Sequence, residues 1–346
     1  MDKAKEVRKG EELDWQKLEN YLRAEMPEQT EGAISVAQFH GGHANLTYLI
    51  KFGEKELVLR RPPFGKIAPG AHDMKREYRV LSKLYKVFPE APRAYLYCDD
   101  EGIIGAPFVV MERKRGEVVR YELIDCFKPF EKAEERLTTA MIKAQADLHK
   151  VDFGKAGLSE LGRPEGFLER QLAGWSKRWT LSKTGDNKDM DEVLGLLSSD
   201  IPSPQAISII HNDIKLDNCQ FQADNPDKVS ALFDWDMTTL GDPLVDIGST
   251  LGYWYEPYFD AYDMPVSLSK SFPNKAFLIR KYAEFTGFSM ERIDWYHAFA
   301  YVKGAVITAQ LYQRFVNGQT QDKRMEKFGA TAKVFTRFAK KLLLEA

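Results

Sequence analysis

Two short apolar runs in the second half of the chain each end in a cluster of polar and acidic residues, and this pairing constrains the fold most. Ile207, Ile209 and Ile210 lead into His211-Asn212-Asp213-Ile214-Lys215-Leu216-Asp217-Asn218. Val229, Ala231, Leu232 and Phe233 lead into Asp234-Trp235-Asp236. Both runs read as short buried strands. Strands that deliver carboxylates at their ends, with Asn218 between them, supply hard oxygen donors. Mg²⁺ takes such donors, usually one or two carboxylates completed by phosphate oxygens and water.

His211, Asp213 and Asn218 also follow the spacing His-x-Asp-x-x-x-x-Asn, the catalytic-loop pattern of kinases, with Lys215 where many kinases place a lysine. In that reading Asp213 accepts the proton of an attacking hydroxyl. Asn218, past a tight turn, gives its amide oxygen to a metal, and Asp234 binds the metals that bridge nucleotide phosphates. The competing reading is a polar turn between strands, whose Asp and Asn close turn hydrogen bonds. Three positions alone do not separate the two, so the rest of the chain decides.

A chain of 346 residues has room for two lobes, and 21 Phe can help fill a sizeable core. A net charge of −2 with no long single-sign block argues against a broad nucleic-acid-binding face. Cys98, Cys126 and Cys219 are dispersed and odd in number, which fits neither a disulfide framework nor a zinc site. Free thiols of a reducing, cytoplasmic compartment are expected. The charged N-terminus carries no apolar run of signal-peptide type, and no stretch approaches the roughly 18 apolar residues of a membrane span. The expectation is therefore no membrane and no nucleic acid as partner.

A helix is expected from about Asp14, where Leu18, Tyr21 and Leu22 keep helical spacing and Pro27 falls past the end. From Ala33 the period changes to two. Ile34-Ser35-Val36, then Leu46, Tyr48, Ile50 and Phe52, then Leu57–Arg60 read as three strands joined by turns. The Gly41-Gly42 turn is either an ordinary meander turn or a phosphate lid, where glycines let backbone N–H groups approach an anion. Arg60 closes the third strand. It is either half of an exposed Arg60-Arg61 pair or a contact to nucleotide phosphates in the place of the strand lysine of protein kinases. A helix is predicted over Ala71–Lys86 with a stripe of Met74, Tyr78, Leu81, Leu84 and Tyr85. Glu77 lies on that stripe and points inward, where a carboxylate needs a partner, and Arg60 is the obvious one; the alternative is a Glu77 that snorkels out at an edge.

Pro92 to Gly105 reads as loop and turn. Pro107–Glu112 reads as the edge strand leading to a hinge, where Met111 to Arg113 would offer backbone groups to adenine; an ordinary core strand fits equally well. Leu137, Met141, Ala144 and Leu148 space as one helix that ends near His149, read as a core histidine satisfied by backbone. Gly154–Pro204 is the least regular part, with one helix over Arg170 to Trp179. Asp246 either braces the catalytic loop or caps a helix. Phe277–Tyr282, Tyr296–Tyr312 and Ala330–Leu344 suggest further amphipathic helices.

Taken together the sequence resembles the aminoglycoside phosphotransferase and choline kinase superfamily. Within it, the chain is most similar to the branch of kinase-like domains joined to some acyl-CoA dehydrogenases. The resemblance rests on Gly41-Gly42-x-x-Asn45-x-Thr47-Tyr48, Leu59-Arg60-Arg61-Pro62-Pro63, His72-Asp73-Met74-x-Arg76-Glu77-Tyr78, Leu148-His149-x-Val151-Asp152, His211-Asn212-Asp213, Asp217-Asn218, Asp234-Trp235-Asp236 and Gly241-Asp242-Pro243-x-x-Asp246. It implies an α+β, two-lobed protein-kinase-like fold. Residues 1–111 would form a small antiparallel sheet with its helix, and residues 112–346 a larger, mainly helical lobe. It implies ATP or GTP, Mg²⁺ and a small hydroxylated substrate. Asp213 becomes the catalytic base with Lys215 beside it, and Asn218 and Asp234 the metal ligands. Gly41, Gly42, His43, Asn45, Thr47, Arg60, Glu77, Met111 and Arg113 become the nucleotide site. Many relatives have Gly where this chain has Asn212, and Arg60 replaces a more familiar Lys.

The function expected is a small-molecule kinase acting by positioning and electrostatics. A protein kinase fits poorly: Asp246 comes twelve positions after Asp234 with no Ala-Pro-Glu segment between them, too little for a peptide-holding activation segment. An aminoglycoside antibiotic phosphotransferase and a non-catalytic nucleotide-binding module are the alternatives. Against the second, Asp213, Asn218 and Asp234 are all present. The branch resembled implies a hydroxylated metabolite, such as a hydroxy acid or its thioester, rather than an antibiotic.

Overall fold

A computed structural model describes residues 4–40, 45–65, 72–256 and 270–345. Gly41, Gly42 and His43 lie outside the described residues. Asp14 accepts from the Lys17 amide and starts α1 (Trp15–Glu25), which buries Leu18 and Leu22. β1 (Ile34–Phe39), β2 (Leu46–Phe52) and β3 (Lys55–Arg61) follow as an antiparallel meander. In β2 the period-two pattern is realised in full: Leu46, Tyr48, Ile50 and Phe52 are buried and pack with Leu18 and Leu22.

Asp73 accepts from the Arg76 amide and caps α2 (Met74–Leu84), shorter at both ends than the sequence stripe suggests. Next come β4 (Ala94–Cys98), the one-turn α3 (Glu101–Ile104) and β5 (Phe108–Glu112). The five strands form one antiparallel sheet in the order β1-β2-β3-β5-β4. Two expectations are corrected here. Pro92–Gly105 holds a strand and a helical turn rather than loop alone. β5 is internal, with β4 as the edge. The sequence hides β4 because its pairing with β5 shifts register between Ala94 and Leu96, and no clean alternation survives.

The two faces of the sheet have different tasks. Leu57, Leu59, Phe108 and Val110 point to the α1 side. Val58, Val109 and Met111 join α2 and, beyond it, the core of the helical part. Arg60 keeps the parity of Val58 and so faces away from α1.

The remainder is mainly helical. It comprises β6 (Glu117–Val118), α4 (Ala133–His149), α5 (Phe167–Ser182), α6 (Lys188–Ser199), β7 (Ser208–Ile210), β8 (Cys219–Gln222), β9 (Asn225–Leu232), β10 (Thr239–Gly241), α7 (Pro243–Tyr253), α8 (Lys275–Thr286), α9 (Ile293–Val316) and α10 (Phe328–Glu345). β6, β8 and β9 form a small sheet, and β7 pairs with β10. The Gly154–Pro204 expectation is corrected: two regular helices occupy it. α5 starts upstream of Arg170 because Phe167, Leu168, Leu172, Trp175 and Trp179 make one buried stripe. Ile207 stays outside β7 and is exposed. Cys98 and Cys219 are buried and Cys126 half-buried, all as free thiols. Among the described residues no helix is long and apolar enough to cross a membrane.

Candidate active site

β7 ends at Ile210 and β9 at Leu232, so both polar clusters leave the ends of buried strands side by side. The Phe233 amide donates to the Asn218 carbonyl at 2.9 Å, and His211 Nε2 lies 2.9 Å from the Phe233 carbonyl. That contact puts the imidazole proton on Nε2 and leaves Nδ1 to accept from the Asp213 amide at 3.3 Å. The His211 ring packs on Trp235 with centroids 4.7 Å apart. A buried histidine thus ties the two segments together.

Two non-glycine residues here adopt left-handed backbone, Asn212 at φ 70° and Asp234 at φ 70°. Asn is among the residues that tolerate this region. Its Nδ2 also donates to the Met237 carbonyl at 3.0 Å.

Asp246 sits under the loop in α7. Its Oδ2 accepts from the His211 amide at 2.8 Å and its Oδ1 from the Asn212 amide at 2.6 Å. His149 Nε2 lies 3.1 Å away, with its Nδ1 2.7 Å from the Tyr282 hydroxyl. Asp242, not Asp246, caps the helix by accepting from Leu244. Asp246 therefore braces the loop, and His149 is satisfied by side chains rather than by backbone. Burial alone would raise the Asp246 pKa, but the hydrogen bond from His149 and the amide donors hold it below the ordinary value.

At the sheet side, Arg60 is the joint. Its Nη1 lies 2.6 Å from Glu77 Oε1, and its Nη2 lies 2.8 Å from Asp234 Oδ1. Glu77 is fully buried in α2. Burial pushes the Glu77 carboxyl up to about 7, against the pull of Arg60. Burial opposes the Arg60 charge too, yet Glu77 and Asp234 hold that guanidinium above its usual range. For Asp234 burial also works upward, but Arg60 wins and the carboxyl is lowered. For Asp236, burial and the Asp234 charge outweigh the pull of Arg60 and push the carboxyl up to about 6.

Asp213 and Asn218 face each other: Asn218 Nδ2 donates to the Asp213 carbonyl at 2.8 Å and to Oδ2 at 2.7 Å. This leaves the Asn218 Oδ1 without a donor among the described residues. Lys215 Nζ lies 3.1 Å from Asp213 Oδ2. Burial lowers the Lys215 pKa, but Asp213 and Asp217 more than offset it.

These groups surround one cleft of about 330 Å³ between sheet and helices. Asn45, Thr47, Arg60, Glu77, Met111, Arg113, Lys215, Asn218 and Asp234 all line it, and Asp213 reaches it through Asn218 and Lys215. The Arg113 guanidinium stacks over Phe39 at 4.5 Å. Asn45 Oδ1 lies 2.8 Å from His72 Nδ1, and its buried Nδ2 finds no partner of normal geometry.

The donor set fits a hard cation. The Asn218 amide oxygen and the Asp234 carboxylate are oxygen donors at one end of the cleft. Among the described residues no group of three His, Cys, Asp or Glu could hold a metal; Mg²⁺ ordinarily completes one or two protein ligands with phosphate oxygens and water. Two further residues stand here that the sequence pattern does not single out. Asp217 lines the cleft, and Tyr253, at the end of α7, has its ring centre 4.9 Å from Lys215 Nζ. Asp217 is legible from its place in the loop, whereas nothing in the pattern around Tyr253 marks it.

Residues 35–272 match the sequence profile of the phosphotransferase enzyme family. Acyl-CoA dehydrogenase family member 10 of Mus musculus is 29% identical over 329 residues, 93% of this chain but 30% of that protein. A Ralstonia eutropha JMP134 structure, provisionally assigned as an aminoglycoside phosphotransferase, is 28% identical with a TM-score of 0.79, covering 97% of this chain and 99% of that one. An aminoglycoside phosphotransferase solved as a ternary complex with ADP and hygromycin B shares the fold at 15% identity, with a TM-score of 0.59 over 94% of this chain and 98% of that one.

Proposed function

The chain belongs to the phosphotransferase enzyme family, and on that premise we propose that it transfers the γ-phosphoryl group of ATP or GTP to a hydroxyl of a small metabolite. One observation supports this above the rest: Arg60 joins Glu77 of α2 to Asp234, on the same cleft that Asn218 and Lys215 enter beside Asp213. A polar turn needs none of these contacts.

In this reading the nucleotide lies in the cleft, with its base against the backbone of Met111 to Arg113 at the hinge between residues 1–111 and 112–346. The lid is Gly41, Gly42, His43, Asn45 and Thr47. Arg60, held charged by two carboxylates, neutralises phosphate. Asn218 and Asp234 hold Mg²⁺, which when bound offsets charge on the phosphate oxygens. Asp213 accepts the acceptor's proton, its carboxylate aimed by Asn218 and Lys215. The rest is orientation in a water-poor cleft.

For the acceptor we infer a hydroxy acid or its thioester rather than an antibiotic. What supports this is the similarity to acyl-CoA dehydrogenase family members, although this chain spans under half the length of those proteins. The test is Mg²⁺-dependent ADP or GDP release across hydroxy acids, hydroxyacyl thioesters, sugars, amino alcohols and aminoglycosides, with Asp213→Asn as control. Turnover stimulated by one class and abolished in the control is the expected result. Nucleotide binding with no Asp213-dependent turnover would sink the proposal.

A further inference from the structure

α7 meets the catalytic loop along one stripe. Asp246, Ser249, Thr250 and Tyr253 share it, at the spacing of one helix face. Asp246 Oδ1 accepts from the Asn212 amide at 2.6 Å, Thr250 Oγ1 donates to the Ile214 carbonyl at 3.0 Å, and Lys215 Nζ stands 4.9 Å from the Tyr253 ring centre. The residues on either side of Asp213 are thus fastened to this stripe, and Ser249 lies in its middle.

α9 runs beside α7 in the same direction: a Cβ at Gly248 would meet Tyr296, and one at Gly252 would meet Ala300. Lys303 continues that side of α9 and is half-buried. Its Nζ donates to Ser249 Oγ at 2.9 Å. The serine proton goes to the Val245 carbonyl, also at 2.9 Å, so the hydroxyl accepts from the lysine without neutralising it. Its other neighbour is Phe299, with the ring centre 6.0 Å from Nζ. Arg60 and Lys215 are both ion-paired, but among the described residues no carboxylate pairs with Lys303. An ammonium in a helix–helix contact is costly without a counter-charge, and this one keeps N–H groups to offer. Lys303 does not line the cleft that holds Arg60, Asn218 and Asp234, so nucleotide phosphate is not the missing anion.

We propose that Lys303 selects the acceptor: its ammonium pairs with a carboxylate on the small molecule whose hydroxyl lies on Asp213. This deepens the kinase reading and rests on Asp213 as its base. It narrows the acceptor to a free hydroxy acid rather than a thioester, and it sets a like charge against the ammonium groups of an aminoglycoside. Burial lowers Lys303 to about 8 against the pull of Asp246 and Asp213, so the group is charged at neutral pH.

The test uses straight-chain hydroxy acids with the hydroxyl at each carbon from the second outward. Each is paired with its primary amide and its N-acetylcysteamine thioester, with Mg²⁺ and ATP or GTP. The unaltered protein should turn over one or more acids with kcat/KM on the order of 10- to 100-fold above the matching amide, the scale of a hydrogen bond between charged groups. Lys303→Met should erase that preference through KM for the acid rather than through kcat, at unmoved KM for nucleotide. Lys303→Gln is the second variant, and melting temperatures check that both fold. A merely structural lysine would lower turnover of acid and amide alike. Equal losses in folded variants, no preference for the acid in the unaltered protein, or a raised KM for nucleotide overturns the proposal. Asp213→Asn separates the two readings. If it abolishes turnover while Lys303→Met leaves the acid-to-amide ratio unchanged, only the role of Lys303 fails. If it leaves turnover intact, or if no hydroxyl compound is turned over at all, the kinase reading fails and takes the role of Lys303 with it.

Discussion

Asp246 and His211 are 35 positions apart and meet through a hydrogen bond from the His211 amide to Asp246 Oδ2 at 2.8 Å. The second Asp246 oxygen takes the next amide, that of Asn212, at 2.6 Å. One carboxylate in α7 thus fixes the backbone two residues ahead of Asp213, and it does so while buried. Asp246→Asn keeps the shape but offers one acceptor in place of two. It should lose about 2 kcal/mol of stability or more, the scale of charge-assisted bonds, and lower kcat on the order of 10- to 100-fold through misplacement of Asp213. The folded pKa of Asp246 lies below its ordinary value of 3.8. Its contribution is therefore full above that value and lost as pH falls through the lowered one. Denaturation at pH 7 and below pH 4 checks the sign: the gap between variant and unaltered protein should close only in acid.

Asn212 makes a separate prediction, because φ 70° disfavours any side chain with an ordinary Cβ. Asn212→Ala should cost about 1–2 kcal/mol, and more where the bond to the Met237 carbonyl is missed. Asn212→Gly should cost less than Asn212→Ala, since it relieves the backbone while losing the same side-chain bond. Equal losses for Ala and Gly, measured by urea denaturation, would show that the side chain and not the backbone sets the requirement.

The Arg60–Glu77 pair allows a sharper test. Glu77 is fully buried with Arg60 Nη1 at 2.6 Å. Arg60→Met strands that carboxylate and should cost about 3–5 kcal/mol. Arg60→Met with Glu77→Met removes both charges and should recover much of that loss, while activity stays absent. A double variant as unstable as Arg60→Met alone would mean that Glu77 does not depend on Arg60.

Much of this was legible in the sequence, and the reason is local. β2 announces itself because each of its alternate residues is buried, and Glu77 because a lone carboxylate on an apolar stripe demands a partner. The catalytic-loop spacing placed Asp213, Lys215 and Asn218 on one structure because a tight turn leaves little freedom. Parts that depend on distant contacts were not legible. β4 is an edge strand with a register shift, so its alternation is broken. His149 was expected to find backbone partners, but its partners are Asp246 and Tyr282, contributed by other helices. Tyr253 is an ordinary aromatic at a helix end until the fold brings Lys215 over its ring.

Gly248 shows how tightly the helices under the loop are packed. A Cβ added there would sit 2.7 Å from the Tyr296 carbonyl oxygen on α9, a backbone atom that cannot swing aside. At Gly252, one turn on, the nearest atom is the Ala300 Cβ at 3.2 Å. Gly248→Ala should therefore cost about 1–3 kcal/mol as overpacking, and Gly252→Ala less. Because α7 carries Asp246, Gly248→Ala should also lower kcat at unchanged KM for nucleotide. A larger thermal shift for Gly252→Ala would contradict the packing described.

Lys275 gives a pH signature of the same sign as Asp246, in alkali rather than in acid. Its Nζ lies 2.8 Å from Glu256 Oε1, 3.0 Å from His297 Nε2 and 2.7 Å from the Tyr301 hydroxyl. Burial lowers its pKa to about 8, against the pull of Glu256. The unfolded chain, with an ordinary lysine near 10.5, therefore binds more protons than the folded one between these values. Stability from this group rises with pH across that window. His297, held well below its usual range by burial and by Lys275, stays neutral throughout. Tyr301, raised by burial, acts in the opposite direction only above its ordinary value of 10. Between pH 8 and 10 the unaltered protein should gain on Lys275→Met by more than about 1 kcal/mol, read from denaturant midpoints. Lys303, also lowered to about 8 by burial, adds the same slope to both proteins and cancels in the comparison. A gap that stays flat across the window would mean that Lys275 keeps its proton inside the fold up to pH 10, as an ordinary lysine does.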